Sequence, residues 1–192
     1  VVALPAPSGL GAAVRHGLAV AVEAGAVVVA FCDADGEYAP EELERLVRPI
    51  LAGRADYVVG SRFAGGPRRM RRHRWLGNRV LTVALSAVAR RRISDGQSGY
   101  RALSAAAARA AEIIHDYNYA QVLTLDLLGK GFRYAEVPVS YRFRTRGRSF
   151  VRLGPYLRRV APAVWRVSRS RPTPAAPTIP AHGSGPLPRP AD

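Results

Sequence analysis

Apolar and polar positions follow two periods along the first 150 residues of this chain. Four short runs rich in β-branched and aromatic residues predict strands, at residues 1–4, 26–32, 56–60 and 133–141. Apolar residues spaced three or four apart predict helices around residues 14–22, 43–51, 75–89, 104–114, 119–128 and 152–168. Because the first half alternates strand and helix, the pattern predicts an α/β fold with a mostly parallel sheet flanked by helices.

The helix expected at residues 75–89 has Leu76, Val80, Ala84 and Val88 on one apolar face. A loop is expected between this helix and the next, at residues 94–100. The end of the chain differs in composition, since seven of the 15 prolines lie in residues 172–190. We therefore expect a folded domain at residues 1–152, an amphipathic basic helix at 153–170 and a Pro-rich disordered tail at 171–192.

Charge narrows the range of partners. The formal net charge is +15, and Lys130 is the only lysine, so arginine carries nearly all of the excess. A surplus of this size predicts an anionic partner, which could be nucleic acid, a membrane surface or a phosphorylated substrate. Cys32 is the single cysteine, which excludes a disulfide framework and a cysteine metal site, and the four histidines show no metal-binding spacing.

Asp33-Ala34-Asp35 directly follows the apolar run at residues 26–32. Ligands of open α/β sheets bind beyond the carboxyl ends of the strands. Two carboxylates at such an end are suited to Mg²⁺ or Mn²⁺, which prefer oxygen ligands and can bridge to phosphates. The alternative is an Asp-rich turn, which this sequence also encodes well.

Arg62 follows the next strand and is expected to face the same crevice. Its planar fork matches phosphate oxygens in pairs, although an exposed loop arginine is the alternative. No acidic residue occurs between Tyr57 and Ser94, a stretch with ten arginines around a Gly65-Gly66 loop that could close over an anion. A solvated basic face is the simpler interpretation.

The loop at residues 94–100 contains two further polar candidates. Asp95 could act as a general base for an incoming hydroxyl, or could orient the acceptor. The alternative is an Asx-turn, which Asp-Gly forms readily. A second basic turn, at residues 142–149, holds four arginines and is a candidate phosphate or headgroup site. The last helix could lie on an anionic membrane or pack its apolar face on the domain.

Taken together, these motifs resemble the family 2 glycosyltransferases, in particular dolichol-phosphate mannose synthase and other polyprenyl-phosphate glycosyltransferases. The resemblance covers about residues 1–152 and implies that they form a partial glycosyltransferase catalytic domain. The matching positions are residues 8–13 with Gly17, residues 31–43, residues 58–63, Arg74 with Asn78, residues 93–101, and residues 136–139 with Tyr141, Arg144, Gly147 and Ser149.

The resemblance implies a GT-A-like, Rossmann-like fold and inverting transfer of a sugar from a nucleotide-sugar to a polyprenyl-phosphate or similar acceptor. It implies catalytic roles for Asp35 and Asp95, with Asp33 and Asp35 holding Mg²⁺ or Mn²⁺. The donor and its phosphates would be bound by Gly9, Gly11, Ala34, Arg62 and Arg74. The acceptor side would include Gln97, Arg101, Arg144 and Ser149.

Several positions depart from the family pattern. The family's first strand and its second strand with an Asp-Asp-x-Ser-like segment are missing, so we expect an amino-terminally truncated domain. Phe150 and Gln121 stand where relatives often carry Lys and Glu, which suggests different acceptor handling. We expect a cytoplasmic protein able to associate peripherally with the inner face of the cell membrane.

Two alternatives remain beside the transferase. A sugar nucleotidyltransferase would start with a Gly-rich loop near its first strand, which is not visible. A catalytically incomplete fragment could instead bind anions or a membrane surface through its arginines. Nucleic acid is not the expected partner, because the sequence shows neither a reader fold nor an aromatic stacking platform.

Overall fold

The structure, a computed structural model, describes residues 9–64, 72–114 and 119–142, with the backbone alone at residues 72–74. The strands in this part of the chain are β1 (Val28–Phe31), β2 (Tyr57–Ser61), β3 (Arg101–Ser104) and β4 (Tyr134–Pro138). The helices are α1 (Leu10–Glu23), α2 (Leu43–Leu51), α3 (Arg72–Ala89), α4 (Ala105–Ala110) and α5 (Ala120–Gly129), with a 3₁₀ turn at Pro40–Glu42. The expectations for residues 1–4 and 143–192 lie outside the described residues.

The four strands form one mixed sheet in the order β1-β3-β2-β4. Strand β3 pairs antiparallel with both β1 and β2, whereas β2 pairs parallel with β4. The α/β class is therefore confirmed, but the sheet contains an antiparallel strand that the sequence pattern did not predict. Residues 101–104 contain no β-branched residue. They also follow the expected loop directly, with no change from polar to apolar residues that would mark the start of a strand.

Helices cover both faces of this sheet. Tyr57, Val59 and Leu103 pack into one core cluster with α1, α4 and α5, and Val58 and Ala102 pack into a second cluster with α2. All five residues of β2 are buried, as expected of a strand covered on both faces. The helix expected at residues 104–114 is shorter than predicted, because β3 occupies its start and Ser104 caps α4 by accepting a hydrogen bond from Ala107 N–H at 3.2 Å.

Candidate functional site

Several of the predicted site residues lie at one edge of the sheet. Asp33 follows the end of β1, and Arg62 follows the end of β2. Since β3 runs antiparallel to both, its beginning lies at this same edge, and Arg101 pairs with Phe31 on one side and Val59 on the other. The loop at residues 94–100, here named the β3 entry loop, is therefore brought beside the two strand ends.

Asp33 is packed directly against the β3 entry loop. A β-carbon placed on Gly99 would lie 2.0 Å from Oδ2 of Asp33 and 2.4 Å from its Cγ, so only glycine allows this approach. The Gly99 N–H donates to the buried Tyr38 hydroxyl at 2.9 Å. Burial raises the pKa of Tyr38 to about 12, so it stays a neutral hydroxyl. The contact between Tyr38 and Gly99 therefore holds the β3 entry loop in place against the carboxylate of Asp33.

Asp33 and Asp35 differ in surroundings. Burial raises the pKa of Asp33, and the charge of Asp35 raises it further, whereas Arg101 and Arg62 act in the opposite direction. Oδ1 of Asp35 accepts a hydrogen bond from Glu37 N–H at 3.0 Å, which turns the loop back towards Tyr38. This geometry combines the predicted Asp-rich turn with a pair of carboxylates in one loop.

The carboxylate oxygens of Asp33 and Asp35 are suitable ligands for a divalent cation. Mg²⁺ and similar ions are commonly held by one or two carboxylates while substrate phosphates and water complete the shell. Unfavourable burial of negative charge at Asp33, next to a second carboxylate, is the electrostatic situation that a cation relieves. Among the described residues, no group of three His, Cys, Asp or Glu side chains is placed to hold a metal ion, so substrate phosphates and water would complete the shell.

Arg62 and Asp95 form a buried, two-pronged ion pair. Arg62 Nε donates to Asp95 Oδ2 at 2.7 Å and its second guanidinium nitrogen donates to Oδ1 at 2.8 Å. The backbone N–H groups of Arg62 and Gln97 also donate to this carboxylate, both at 3.1 Å. Burial by itself raises the pKa of Asp95, but the charge and hydrogen bonds of Arg62 outweigh it and the pKa is lowered.

These contacts bear on two sequence predictions. Asp95 was expected as a base or acceptor-orienting residue, and Arg62 as a phosphate ligand. The structure brings the two together, and Asp95 would have to leave Arg62 before it could take up a proton readily. The guanidinium also lies over the rings of Phe63 and Tyr141, at 5.7 and 5.5 Å from their centroids, so several neighbours hold Arg62 in place.

Glu136 on β4 anchors the first half of the β3 entry loop. Its carboxylate accepts hydrogen bonds from Ser94 N–H at 2.9 Å, from Asp95 N–H at 3.1 Å and from the Tyr134 hydroxyl at 2.8 Å. Ser94 also shares a 2.6 Å hydrogen bond with Ser61 at the end of β2. The loop that carries Asp95 is thereby tied to both neighbouring strands.

Arg101 anchors the second half of the loop from below. The side chain is completely buried and donates to Ser98 O at 2.8 Å, to Ala120 O at 2.9 Å and to Gly96 O at 3.3 Å. It also donates to the Tyr57 hydroxyl. Arg101 was predicted on the acceptor side, and its placement beneath the loop favours action through the loop backbone instead.

The positions of the remaining predicted residues do not test their predicted roles. Gly9 precedes α1 with a φ of 87°, Gly11 is buried in the first turn, and Ala34 is exposed in the Asp loop. Gln97 is half-buried in the β3 entry loop. Arg74 belongs to α3, but its side chain is outside the described residues, and so are Arg144 and Ser149. Their predicted roles stay predictions.

The sequence analysis did not include Tyr38, Gly99 or Glu136 among the site residues. All three lie in segments that carried the resemblance, so position within a motif was the available signal. Their importance lies in long-range contacts, which the sequence alone does not reveal.

Comparison with known proteins identifies the family of this chain. Residues 1–110 match the family model described as glycosyl transferase family 2. The chain belongs to glycosyl transferase family 2. Polyprenol monophosphomannose synthase of Mycolicibacterium smegmatis is 33% identical over 150 residues, covering 73% of this chain and 55% of that protein. This family 2 chain thus resembles the branch expected from its motifs.

A second relative is the UDP-N-acetylglucosamine–dolichyl-phosphate N-acetylglucosaminyltransferase of Methanococcus voltae. It is 35% identical over 101 residues, which are 52% of this chain and 40% of the relative. The chain spans about half the length of the curated relatives it matches.

Solved structures share the fold of this family 2 chain. Glucosyl-3-phosphoglycerate synthase of Mycobacterium tuberculosis, in complex with Mn²⁺, uridine diphosphate and phosphoglyceric acid, aligns with a TM-score of 0.65 at 21% identity. The alignment covers 88% of this chain and 57% of that protein. The predicted GT-A-like fold is confirmed. Within the described residues, no helix combines the length and apolar character needed to cross a bilayer.

Proposed function

We propose that this chain carries the metal-binding and acceptor-facing part of an inverting glycosyltransferase that moves a sugar from a nucleotide-sugar to a polyprenyl phosphate or similar acceptor. The observation that carries the proposal is the fixed approach of Asp33 to the β3 entry loop, next to Asp35 and the buried Arg62–Asp95 pair. The activities of the polyprenyl- and dolichyl-phosphate relatives support this acceptor class.

Asp33 and Asp35 would hold Mg²⁺ or Mn²⁺. A cation held there would neutralise charge on the departing diphosphate. The packing of Asp33 against Gly99 restricts where its carboxylate can lie, so the chain positions this ligand before substrate arrives. Ala34, Gly9, Gly11 and Arg74 are proposed donor contacts.

The acceptor oxygen would attack the anomeric carbon from the side opposite the diphosphate. The new bond joins that oxygen to carbon, and the bond from carbon to the diphosphate oxygen breaks, so the nucleoside diphosphate leaves. A phosphate monoester is already largely ionised at neutral pH. Its attack therefore needs little help from a base, which agrees with a role for Asp95 in holding Arg62 rather than in accepting a proton.

Arg62 is proposed to act at the edge where these anions meet as part of its pair with Asp95, since the buried pair as a whole carries no net charge. Its pairing with Asp95 fixes the guanidinium within the site, while Arg101 holds the backbone of the same loop from beneath. On the acceptor side, Gln97 is proposed as a direct contact, together with Arg144 and Ser149.

A catalytically incomplete fragment that binds anions or a membrane surface is the second candidate. It is favoured by the net charge of +15. In that case the arginines, rather than the Asp pair, would determine binding.

The test is calorimetric binding of UDP-glucose and GDP-mannose to the chain, with Mn²⁺ and with a chelator. We expect binding that requires Mn²⁺ and is lost in Asp35→Asn, with the fold unchanged by circular dichroism. Glu44→Gln on α2 is the matched control, since it removes one negative charge from an exposed position. Binding that is unchanged by the chelator and by Asp35→Asn would favour the anion-binding alternative. Absence of binding to the folded chain would contradict the proposal that these residues are sufficient to form a donor site.

A further inference from the structure

The segment that leaves β4 is held by a carboxylate from the other side of the site. Residues 139–142 are named here the β4 exit segment. The Glu42 carboxylate accepts hydrogen bonds from Ser140 N–H at 2.7 Å and from the Ser140 hydroxyl at 3.0 Å. Ser140 lies at the surface, but the Glu42 side chain is only 14% exposed. Water has limited access to this carboxylate, so its hydrogen bonds can hold the two segments together.

Further contacts extend this pairing along the β4 exit segment. Tyr141 forms an isolated antiparallel β-bridge with Tyr38, and the two rings lie 6.3 Å apart, edge to face. Arg142 N–H donates to the Glu37 carbonyl at 2.9 Å. Three successive residues, 140–142, therefore contact the loop that carries the Asp pair or the 3₁₀ turn that follows it.

A single residue joins the predicted metal loop to the β4 exit segment. The Glu37 N–H donates to Oδ1 of Asp35 at 3.0 Å, and the Glu37 carbonyl accepts from Arg142. Arg142 is the first residue of the basic turn at 142–149, in which Arg144 and Ser149 are predicted acceptor contacts. The start of this turn is thus fixed relative to the Asp pair.

Helix capping does not explain the position of the Glu42 side chain. Glu42 directly precedes α2, but its side chain makes no capping hydrogen bond to that helix. The carboxylate is bonded instead to Ser140 and to Arg45, the latter at 2.9 Å. Its hydrogen bonds to backbone N–H therefore go to the β4 exit segment rather than to its own helix.

We propose that Glu42 is a positioning residue for the acceptor. By holding Ser140, it fixes the start of the basic turn beside the Asp pair, so that a phosphate bound by the turn would lie next to the donor diphosphate. The assignment rests on the proposed function for the identity of these ligands. Asp33 is held separately by Gly99, so loss of Glu42 should affect the phosphate of the acceptor and leave the cation site intact.

Calorimetric binding of farnesyl phosphate, a short prenyl phosphate, tests this role in the whole chain. Glu42→Gln should weaken binding about tenfold, because a small displacement of a binding group is costly. The matched control is Glu41→Gln, which removes the same charge from the exposed neighbouring position and should bind as the parent does. Loss of a negative charge by itself favours an anion, so weaker binding in Glu42→Gln alone must come from position.

Two further measurements separate positioning from a general disturbance of the fold. Binding of Mn²⁺ alone, followed by electron paramagnetic resonance, should be the same in Glu42→Gln and Glu41→Gln. Hydrogen exchange at the amides of Ser140 and Arg142 should be faster only in Glu42→Gln. Ser140→Ala removes the hydroxyl partner and keeps the backbone hydrogen bond, so it should weaken farnesyl phosphate binding less than Glu42→Gln does.

Three outcomes would overturn the proposal. They are absence of farnesyl phosphate binding by the parent chain, equal binding by the Glu42→Gln and Glu41→Gln variants, and a loss of Mn²⁺ affinity in Glu42→Gln as large as its loss of farnesyl phosphate affinity. A parent chain that binds farnesyl phosphate but no Mn²⁺ would count against the proposed donor site. The comparison of the two variants would still decide the role of Glu42, so the two failures are distinguishable.

Discussion

The α-carbon of Gly99 lies against the carboxylate of Asp33, so closely that a β-carbon at residue 99 would be 2.0 Å from Oδ2. The contact joins two loops separated by 66 positions in the sequence. It means that the location of the first predicted metal ligand is set by the absence of a side chain on the β3 entry loop. The same loop is held from three other directions, by Tyr38, Glu136 and Arg101.

Gly99→Ala should therefore damage binding at the Asp pair. The added methyl must displace either the carboxylate or the loop, and a shift of about 1 Å at a reacting site can cost up to roughly a hundredfold. We expect Mn²⁺-dependent nucleotide binding to weaken about 10- to 100-fold by calorimetry. Gly77→Ala is the control, because its added methyl meets nothing within 4 Å. Equal affinities for both variants would show that Asp33 does not depend on Gly99.

The Arg62–Asp95 pair should contribute strongly to stability. The two side chains are 4% and 0% exposed, and removing one partner of a buried pair costs about 3–5 kcal/mol. We expect Asp95→Asn and Arg62→Met each to lower the free energy of unfolding by this order in urea. The double variant should lose less than the sum of the two single variants, because neither charge is then left alone. Simple additivity would contradict coupling.

The pH dependence of this pair follows from the lowered pKa of Asp95. A carboxylate with a lowered pKa in the folded state stabilises the fold above its ordinary pKa of about 3.9, and the stabilisation is lost as the pH falls through the lowered value. The stability difference between the parent and Asp95→Asn should stay constant from pH 7 to about pH 5. It should shrink only under stronger acid, as followed by urea unfolding at each pH. A decline already complete at pH 5 would contradict the lowered pKa.

Cys32 reports on the charge of the Asp loop. Burial raises its pKa to about 11, and Asp33 and Asp35 add to this effect. As the single cysteine, it should react with iodoacetamide at a rate that keeps rising up to about pH 11. Asp35→Asn should speed the reaction at pH 8.5, because one neighbouring negative charge is gone. Mass spectrometry of alkylation over time gives the rates, and a plateau near pH 9 would contradict the raised pKa.

Glu136→Gln should loosen the β3 entry loop. The carboxylate accepts from two backbone N–H groups and one hydroxyl, and a hydrogen bond to a charged group contributes about 1.5–3 kcal/mol. We expect a loss of about that size by urea unfolding, with faster hydrogen exchange at Ser94 and Asp95. Glu112→Gln is the control, since it removes an exposed charge paired with Lys130, and such pairs contribute about 1 kcal/mol or less. If both variants lose the same stability and leave exchange at Ser94 unchanged, Glu136 is not an anchor.

The local pattern of residues was sufficient to predict most of the helices and strands. Residues 26–32 and 56–60 predicted strands, and the structure has β1 and β2 within one or two residues of those bounds. A β-branched run closed by polar residues encodes a buried strand through short-range preference and burial alone, so no knowledge of partners is needed. The placement of Asp33 and Arg62 at strand ends followed from the same pattern.

The local pattern could not predict which face of α3 is exposed. Periodicity placed Leu76, Val80, Ala84 and Val88 on one apolar face, and a helix normally turns such a face to the core. In the structure Thr82 and Leu85 are buried instead, because Thr82 accepts from Gly96 and Leu85 packs against it. Periodicity identifies an apolar face, but what covers that face depends on which neighbours the rest of the chain provides.

The sequence by itself determined the α/β class, the Asp pair at the end of β1 and the family resemblance. These properties reside in short segments, where spacing and residue type are enough. Only the tertiary structure decided that β3 runs antiparallel between β1 and β2, that Arg62 pairs with Asp95, and that Asp33 rests on Gly99. Each of these depends on contacts between residues more than 30 positions apart, and such contacts are set by the packing of the whole sheet rather than by any local preference.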